Sequence, residues 1–344
     1  MSLFIEKDKP AVVLAPMEGV TEAPMRELLT EIGGYNYCVS EFFRISQSIP
    51  STRAILDHIP ELAHPAPNQS KTKSGTPVQV QLLGGDAEKL AEAALRAVQA
   101  GAQGVDLNFG CPAPTVNRHD GGATLLKYPH RIEEIVGAVR KALPSHIAVS
   151  AKLRLGFDDP KSIHENAARA QAGGASWITI HGRTKVQGYT QPAYWGPIGE
   201  VRRALAIPVI ANGEIWTLDD FKRCRDVTGC DHFMLGRSAL ADPRLALQIS
   251  RELGIKENFA RTKWVTEYEV DWPVLMKRFV DVSLPYTKHM RYSIARIKQW
   301  ARMIHISNEL DWYEPIKRLQ SVDEILAEIA KNPVPIPRSM IKSI

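Results

Sequence analysis

The 344-residue sequence reads as an α/β protein, a (β/α)8 TIM barrel followed by a smaller all-helical C-terminal domain. Three observations predict this. Short apolar runs of strand length alternate with helical periodicity eight times between Val12 and Leu235. The runs are apolar at successive positions, without alternating polar residues, as in parallel strands buried on both faces. Past about residue 255 the strand runs cease, Trp and Tyr become dense, and a helical period takes over. An open doubly wound sheet would place a glycine-rich dinucleotide turn after its first strand. Ala15-Pro16-Met17-Glu18 is not one. The expected domains are 1–255, the barrel, and 256–344, the helices.

Val12 to Ala15 is the first strand and ends at Pro16-Met17-Glu18-Gly19. Thr21 is the expected N-cap of a helix with Pro24 in its first turn and Leu28, Leu29 and Ile32 as its core stripe. Tyr37 to Ser40 is the second strand, leading to Glu41-Phe42-Phe43-Arg44. Residues 50–76, rich in Pro, Ser, His and Lys, read as an excursion outside the repeat. Val78 to Leu83 is the third strand, stopped by Gly84-Gly85, and Asp86 caps a helix through Ala100. Val105 to Asn108 is the fourth, opening into a Gly110-Cys111-Pro112 turn and a polar loop from Ala113 to Gly122. Then come a helix over Ile132 to Val139, a fifth strand from Ile147 to Leu153, a helix over 161–172 and a sixth strand from Trp177 to Ile180. Ile198 to Leu205 is helical and Val209-Ile210 begins strand seven. Leu218 to Val227 is helical, and His232 to Leu235 is strand eight. Beyond the barrel, Ile294, Ile297, Ala301 and Ile304 fall at 3-4-3 spacing and make one apolar stripe. Pro333 to Pro337 reads as an extended tail.

Hydrophobic (44%) and charged (24%) fractions are those of a globular protein. A net charge of +5 permits a polyanionic partner without requiring one. Cys38, Cys111, Cys224 and Cys230 show neither CxxC pairing nor metal spacing, so reduced thiols and no metal are expected. Glu6, Lys7, Asp8 and Lys9 leave no apolar leader. No window approaches the ~20 apolar residues of a membrane helix, so a soluble cytoplasmic protein is expected.

Chemistry in such a barrel sits at the C-terminal ends of the strands. The eight exits carry Pro16 and Met17, Glu41 and Arg44, Gln79 and Gln81, Asn108 and Cys111, Lys152 and Arg154, His181 and Arg183, Asn212 and Gly213, and Gly236 and Arg237. A purely structural barrel has little use for so many polar ends. Ala211-Asn212-Gly213-Glu214 and Leu235-Gly236-Arg237-Ser238 follow strands seven and eight, the usual phosphate site of this fold. Glycines let backbone N–H groups close on phosphate oxygens, and Arg237 adds charge. Lys152 inside an apolar strand is either a Schiff-base nucleophile or a fixed cation beside an anionic ligand. His181 is either a ligand-facing group or a satisfied core histidine. Cys111, alone, is most simply a small buried hydrophobe at a strand end.

Eight words in order across the barrel carry a family resemblance. They are Ala15 to Val20, Gln79 to Leu82, Asp106-Leu107-Asn108-Phe109-Gly110-Cys111-Pro112, Gly121 to Lys127, Lys152 to Gly156, His181 to Thr184, Ala211 to Ile215, and Gly236-Arg237. On these the chain resembles the tRNA-dihydrouridine synthase family, and Ala295 to Trp300 resembles the helical domain of its C-type subfamily. The resemblance implies an FMN enzyme that reduces a uridine of tRNA to 5,6-dihydrouridine, with NADPH as reductant and uridine 16 as target. It implies that Pro16, Met17, Glu18 and Gln81 line the isoalloxazine, that Lys152 lies at its pyrimidine edge and that His181 is nearby. Asn212, Gly213, Glu214, Gly236 and Arg237 would hold the phosphate, and Cys111 would be the general acid. Asn108 could hydrogen-bond the uracil edge. Phe109 and Ser238 depart from common family residues at positions that leave these roles intact.

From Lys277 to His305 the cations Lys277, Arg278, Lys288, Arg291, Arg296, Lys298 and Arg302 face the single acid Asp281. Tyr286, Tyr292 and Trp300 interleave with them, a composition suited to phosphates and stacked bases. By resemblance, Arg44, Tyr189, Arg296 and Lys298 touch tRNA. Three other readings compete: a small-molecule FMN reductase of dihydroorotate-dehydrogenase type, a Schiff-base aldolase using Lys152, and a non-catalytic RNA-binding protein. The first has no use for a basic helical domain, the second would be colourless, and Cys111, Lys152 and His181 together argue against the third.

Overall fold

A computed structural model describes residues 3–46, 48–113, 121–256, 262–287, 289–308 and 312–331. Eight parallel strands close into a barrel in sequence order. They are β1 (Ala11–Leu14), β2 (Tyr37–Arg44), β3 (Val78–Leu83), β4 (Gly104–Asn108), β5 (Ala148–Arg154), β6 (Ile178–His181), β7 (Val209–Asn212) and β8 (His232–Leu235). Pairing of β1 with both β2 and β8 completes the ring. The TIM-barrel expectation holds. β2 runs four residues beyond the expected Ser40, because a register shift between Val39 and Phe42 lets pairing with β3 resume. At that bulge the Ser40 hydroxyl accepts from the Gln81 N–H (3.1 Å), replacing a ladder bond.

One expectation is corrected by the interior. β3 (VQVQLL) and β5 (AVSAKLR) do alternate, apolar residues facing the helices and polar ones facing the barrel axis. At its N-terminal end the axis is plugged by Phe4, Tyr37 and Trp177, with ring centroids 5.4–6.1 Å apart. A Cβ on Gly104 would stand 2.5 Å from the Phe4 ring, so only glycine admits the plug. Sealed at one end, the barrel opens at the other.

The helices among the described residues are α1 (Ala23–Ile32), α2 (Thr52–His58), α3 (Ala87–Gln99), α4 (Pro129–Ala142), α5 (Ser162–Ala172), α6 (Gly196–Ala204), α7 (Leu218–Thr228), α8 (Ser238–Ala241), α9 (Leu245–Glu252), α10 (Trp272–Ser283), α11 (Met290–Asn308), α12 (Tyr313–Arg318) and α13 (Val322–Lys331). Asp86 caps α3 as expected, accepting from Lys89 N at 3.0 Å. Thr21 does not cap α1. Its hydroxyl is taken by Met17 N (2.8 Å), and the helix starts one residue later, after Glu22. The 50–76 excursion contains α2 and a 3₁₀ turn (Pro60–Ala63), fastened to α1 by a fully buried Arg26–Glu61 pair at 2.8 Å. Only Ile55 of α2 is buried, too little for a readable period.

After β8, α10 rests on α1 and α13, and α11 rests on α8. Ile294, Ile297, Ala301 and Ile304 are buried, as their spacing predicts. No helix of the described residues is long and apolar enough to cross a membrane. Pro333 to Pro337 and residues 114–120 of the polar loop lie outside the described residues.

Candidate active site

A cavity of about 400 Å³ opens at the C-terminal ends of the strands. Closure of the barrel brings Pro16, Met17, Glu18, Asn108, Cys111, Lys152, His181, Tyr189, Asn212, Gly213, Glu214, Gly236 and Arg237 onto its wall.

Cys111 is held from beneath by a chain of amides. Asn108 Oδ1 accepts from the backbone N–H of Gly110 (2.9 Å) and of Cys111 (3.0 Å). Its Nδ2 donates to Gln81 Oε1 (2.9 Å), and Gln81 Nε2 donates to Asp106 Oδ2 (2.7 Å). Ser150 Oγ donates to the other Asp106 oxygen (2.5 Å) and accepts from Gln79 Nε2 (3.0 Å). Backbone N–H groups only donate and a carboxylate only accepts, so both ends of the chain impose the same polarity. One expectation changes: Gln81 is fully buried behind the wall and does not line the cavity. Asn108 is on the wall, with its acceptor sites committed to the Cys111 turn and one Nδ2 hydrogen to Gln81, so toward a base it acts as a donor. Both side chains are oriented by Asp106.

The Cys111 thiol is half-buried, and burial raises its pKa, so it is neutral at pH 7. Arg154 Nε donates to Gly110 O (2.8 Å), and its Nη1 donates to Thr184 O (3.0 Å) and Gly188 O (2.8 Å), tying the exits of β4 and β6 together. Arg44, at the end of β2, is near enough for its charge to lower the pKa of both Glu18 and Cys111 against burial.

Across the cavity, Lys152 Nζ donates to Asn212 Oδ1 (3.1 Å), and Asn212 Nδ2 donates to Met234 O (2.8 Å). Burial, with the Arg154 charge, lowers the Lys152 pKa to about 8. His181 is buried beside Arg154, Lys152, Arg183 and Arg237. Desolvation first and those cations second push its pKa well below the ordinary value, so the imidazole is neutral. Gly213 has φ +111°, and a Cβ there would stand 2.9 Å from His181 Cδ2, so the position demands glycine. Arg237 lies over the rings of Tyr189 (4.9 Å) and Trp216 (5.3 Å).

Glu214 does not fit the phosphate role as a side chain. Its buried carboxylate pairs with Arg183 at 2.6 Å and accepts from Ala193 N at 2.5 Å, anchoring the loop after β6.

The basic helical segment is the larger correction. Arg296 turns inward, pairing with Glu22 and donating to Val20 O (2.8 Å) and Gly19 O. Arg278 pairs with Glu31 (3.0 Å), Lys277 with Asp281 (2.5 Å), and Lys298 Nζ donates to Lys317 O (2.9 Å). Trp300 is buried against Trp272 and Phe279 and donates from Nε1 to Leu240 O (2.8 Å), so it offers no face to a base. Lys288 lies outside the described residues. Tyr189 and Arg44, by contrast, are exposed at the rim.

Sequence reasoning passed over Asp106 and Ser150, noted Arg154 and Arg183 only as strand exits, and missed Trp216 and Met303 on the wall. Asp106 inside an apolar strand is the same anomaly as Lys152 and was readable. Met303 reaches the cavity from α11, which no local pattern announces.

The family model described as Dihydrouridine synthase (Dus) matches residues 13–332. The tRNA-dihydrouridine(16) synthase of Neisseria meningitidis serogroup B is 43% identical over 332 residues, covering 95% of this chain and 96% of that protein. The Shewanella oneidensis protein of the same name is 46% identical over 289 residues, covering 84% and 87%. Among solved structures, histamine dehydrogenase from Rhizobium sp. 4-9 matches with a TM-score of 0.52 and 13% identity, covering 79% of this chain and 49% of that one. A 2-naphthoyl-CoA reductase matches with a TM-score of 0.53 and 13% identity, covering 71% and 50%. This chain thus spans about half the length of those two structures, and the likeness is one of fold.

Proposed function

The chain belongs to the dihydrouridine synthase family, and on that premise we propose that it reduces a uridine of tRNA to 5,6-dihydrouridine in the cytoplasm with FMN and NADPH. The cavity suits a flavin mononucleotide. Ala15, Pro16, Met17, Ile215 and Met234 supply an apolar wall for a flat ring. Lys152, with only Asn212 as hydrogen-bond partner among the described residues, supplies a cation at one edge. Gly236 and Arg237, at the β8 exit just before α8, supply one anion site, which favours a single phosphate over a dinucleotide. When bound, the flavin supplies the hydride.

The residues provide the rest. Cys111, neutral through burial, holds a proton for C5 of the base, and the Asp106–Gln81–Asn108 chain fixes the backbone that carries it. Neutral His181 accepts at Nε2 from Arg183 Nη1 (3.4 Å), which leaves Nδ1–H as a donor without adding a further cation. Arg44 and Tyr189 at the rim are the proposed tRNA contacts, with Lys298 farther out. The target position, 16, is taken from the names of the relatives.

The observation that carries this reading is the convergence on one cavity of a neutral thiol with Lys152 and Arg237, cations that form no close ion pair among the described residues, Asp106 acting on Lys152 only at longer range. Purified protein should absorb like a flavoprotein and release FMN, and tRNA from cells lacking the gene should lose dihydrouridine at position 16 and regain it on restoration. A colourless protein that takes up no FMN refutes the flavin; loss at position 20 instead refutes the target while leaving the family standing.

A further inference from the structure

The turn from Met17 to Thr21 forms one side of the cavity, through Met17, Glu18 and Val20. It is closed by bonds from Val20 N and Thr21 N to Met17 O, both 3.0 Å, and passes through Gly19 at φ +66°. Three of its carbonyls are gripped by side chains from outside the turn. Thr21 O accepts from Arg26 Nη1 (2.7 Å) on the barrel side. Val20 O accepts from Arg296 Nη2 (2.8 Å), and Gly19 O accepts from Arg296 and from Gln299 Nε2 (3.0 Å) on the helical side. Glu22, next in the chain, accepts from Arg296 Nε (2.7 Å) and Tyr292 Oη (2.6 Å). Tyr292, Arg296 and Gln299 lie four and three residues apart, on one face of α11. The Arg296 side chain is only 11% exposed. Its hydrogen bonds go to this turn and to Glu22, apart from one to Gln299.

We propose that Arg296 is a positioning residue: with Gln299 and Tyr292 it holds the 17–21 turn in the shape that forms one side of the flavin cavity. The guanidinium suits this task because its rigid planar fork meets the Glu22 carboxylate through two nitrogens while also donating to two carbonyls, a geometry that lysine's three donors on a flexible stem do not fix. The helical region is therefore part of the cofactor site and not only a surface for RNA. This inference rests on the flavin reading above, but the grip itself does not.

The test uses full-length protein and FMN. In Arg296→Gln the amides of Val20 and Thr21 should exchange hydrogen faster while the barrel core keeps its protection. The FMN dissociation constant should rise on the order of tenfold, since small displacements of a preorganised site cost up to ~10²-fold. The visible spectrum of the bound flavin should shift with it. Glu22→Gln should follow in the same direction. Arg302→Glu, an outward charge change on the same helix, should leave FMN affinity unaltered. If Arg296→Gln does not fold, Gln299→Leu removes one neutral donor to Gly19 O and should still quicken exchange at the turn. Wild-type exchange, FMN affinity and spectrum in the variants, with tRNA affinity alone reduced, would overturn the proposal and make Arg296 a phosphate contact. Wild-type protein that takes up no FMN would refute the cavity's reading, while exchange at Val20 and Thr21 would still decide the grip.

Discussion

The barrel mouth and the helical region are both basic in sequence, yet several of their cations are met differently. At the mouth, among the described residues, Lys152 bonds only a neutral amide and Arg237 meets only two aromatic rings. In the helices, Lys277, Arg278, Arg296 and Lys317 each meet an acid, and the tryptophans Trp272, Trp300 and Trp312 are buried. A cation without a close ion pair inside a cavity carries a desolvation cost that an anionic ligand offsets. A cation on a packing surface is worth most where it joins two elements. The difference teaches that density of charge marks a site only where closure of the fold leaves that charge uncompensated.

The largest expected effect lies at the mouth. Cys111→Ala should cut dihydrouridine formation by ~10²–10⁴-fold, the range of a general acid, while FMN binding and its reduction by NADPH persist. Unchanged product formation in a single-turnover assay would remove the thiol from the chemistry.

Next is the packing contrast. Trp300→Ala should cost about 3–5 kcal/mol of stability in denaturant titration, as for other buried aromatics. If stability held and only tRNA affinity fell, Trp300 would be a stacking platform after all and the contrast would collapse.

Lys152→Met probes an uncompensated charge. Its pKa falls from the ordinary 10.5 to about 8 in the fold, so the unfolded chain binds the proton more tightly between those values. The buried charge therefore costs stability in full below pH 8, on the order of 3 kcal/mol, and the cost fades as pH rises toward 10.5. The variant should be more stable than wild type at pH 7 and equal to it near pH 10.5, while binding FMN more weakly. A pH-independent difference would contradict this.

The smallest effect belongs to the helical surface. Arg291 and Arg302 are exposed and make no ion pair among the described residues. Charge reversal at either should weaken tRNA binding modestly and flatten its salt dependence, by roughly 0.7–0.9 in the log–log slope for each phosphate no longer neutralised. An unchanged slope would exclude that arginine from the RNA interface.

Strand positions and the strand-exit residues were legible because both follow from local rules. β3 and β8 begin and end where the apolar runs do, and a parallel barrel must converge its exits. The motif around Asp106 to Pro112 marked the site's centre. Less legible was what each polar group in the motif faces. Asn108 and Gln81 are spaced two residues from other inward positions on their strands, which predicts direction but not partner.

The sequence alone determined that there is a closed barrel, where its mouth lies and which residues arrive there, because hydrophobic period and turn chemistry act over a few residues. Only the tertiary structure decided which charges remain without an acid. Arg296 meets Glu22 across 274 positions of chain, and Arg278 meets Glu31 across 247. Ion pairing depends on distance in space, which no count of lysines and arginines along a helix contains. The same holds for Glu214, a carboxylate in a phosphate loop until Arg183 is found 2.6 Å away.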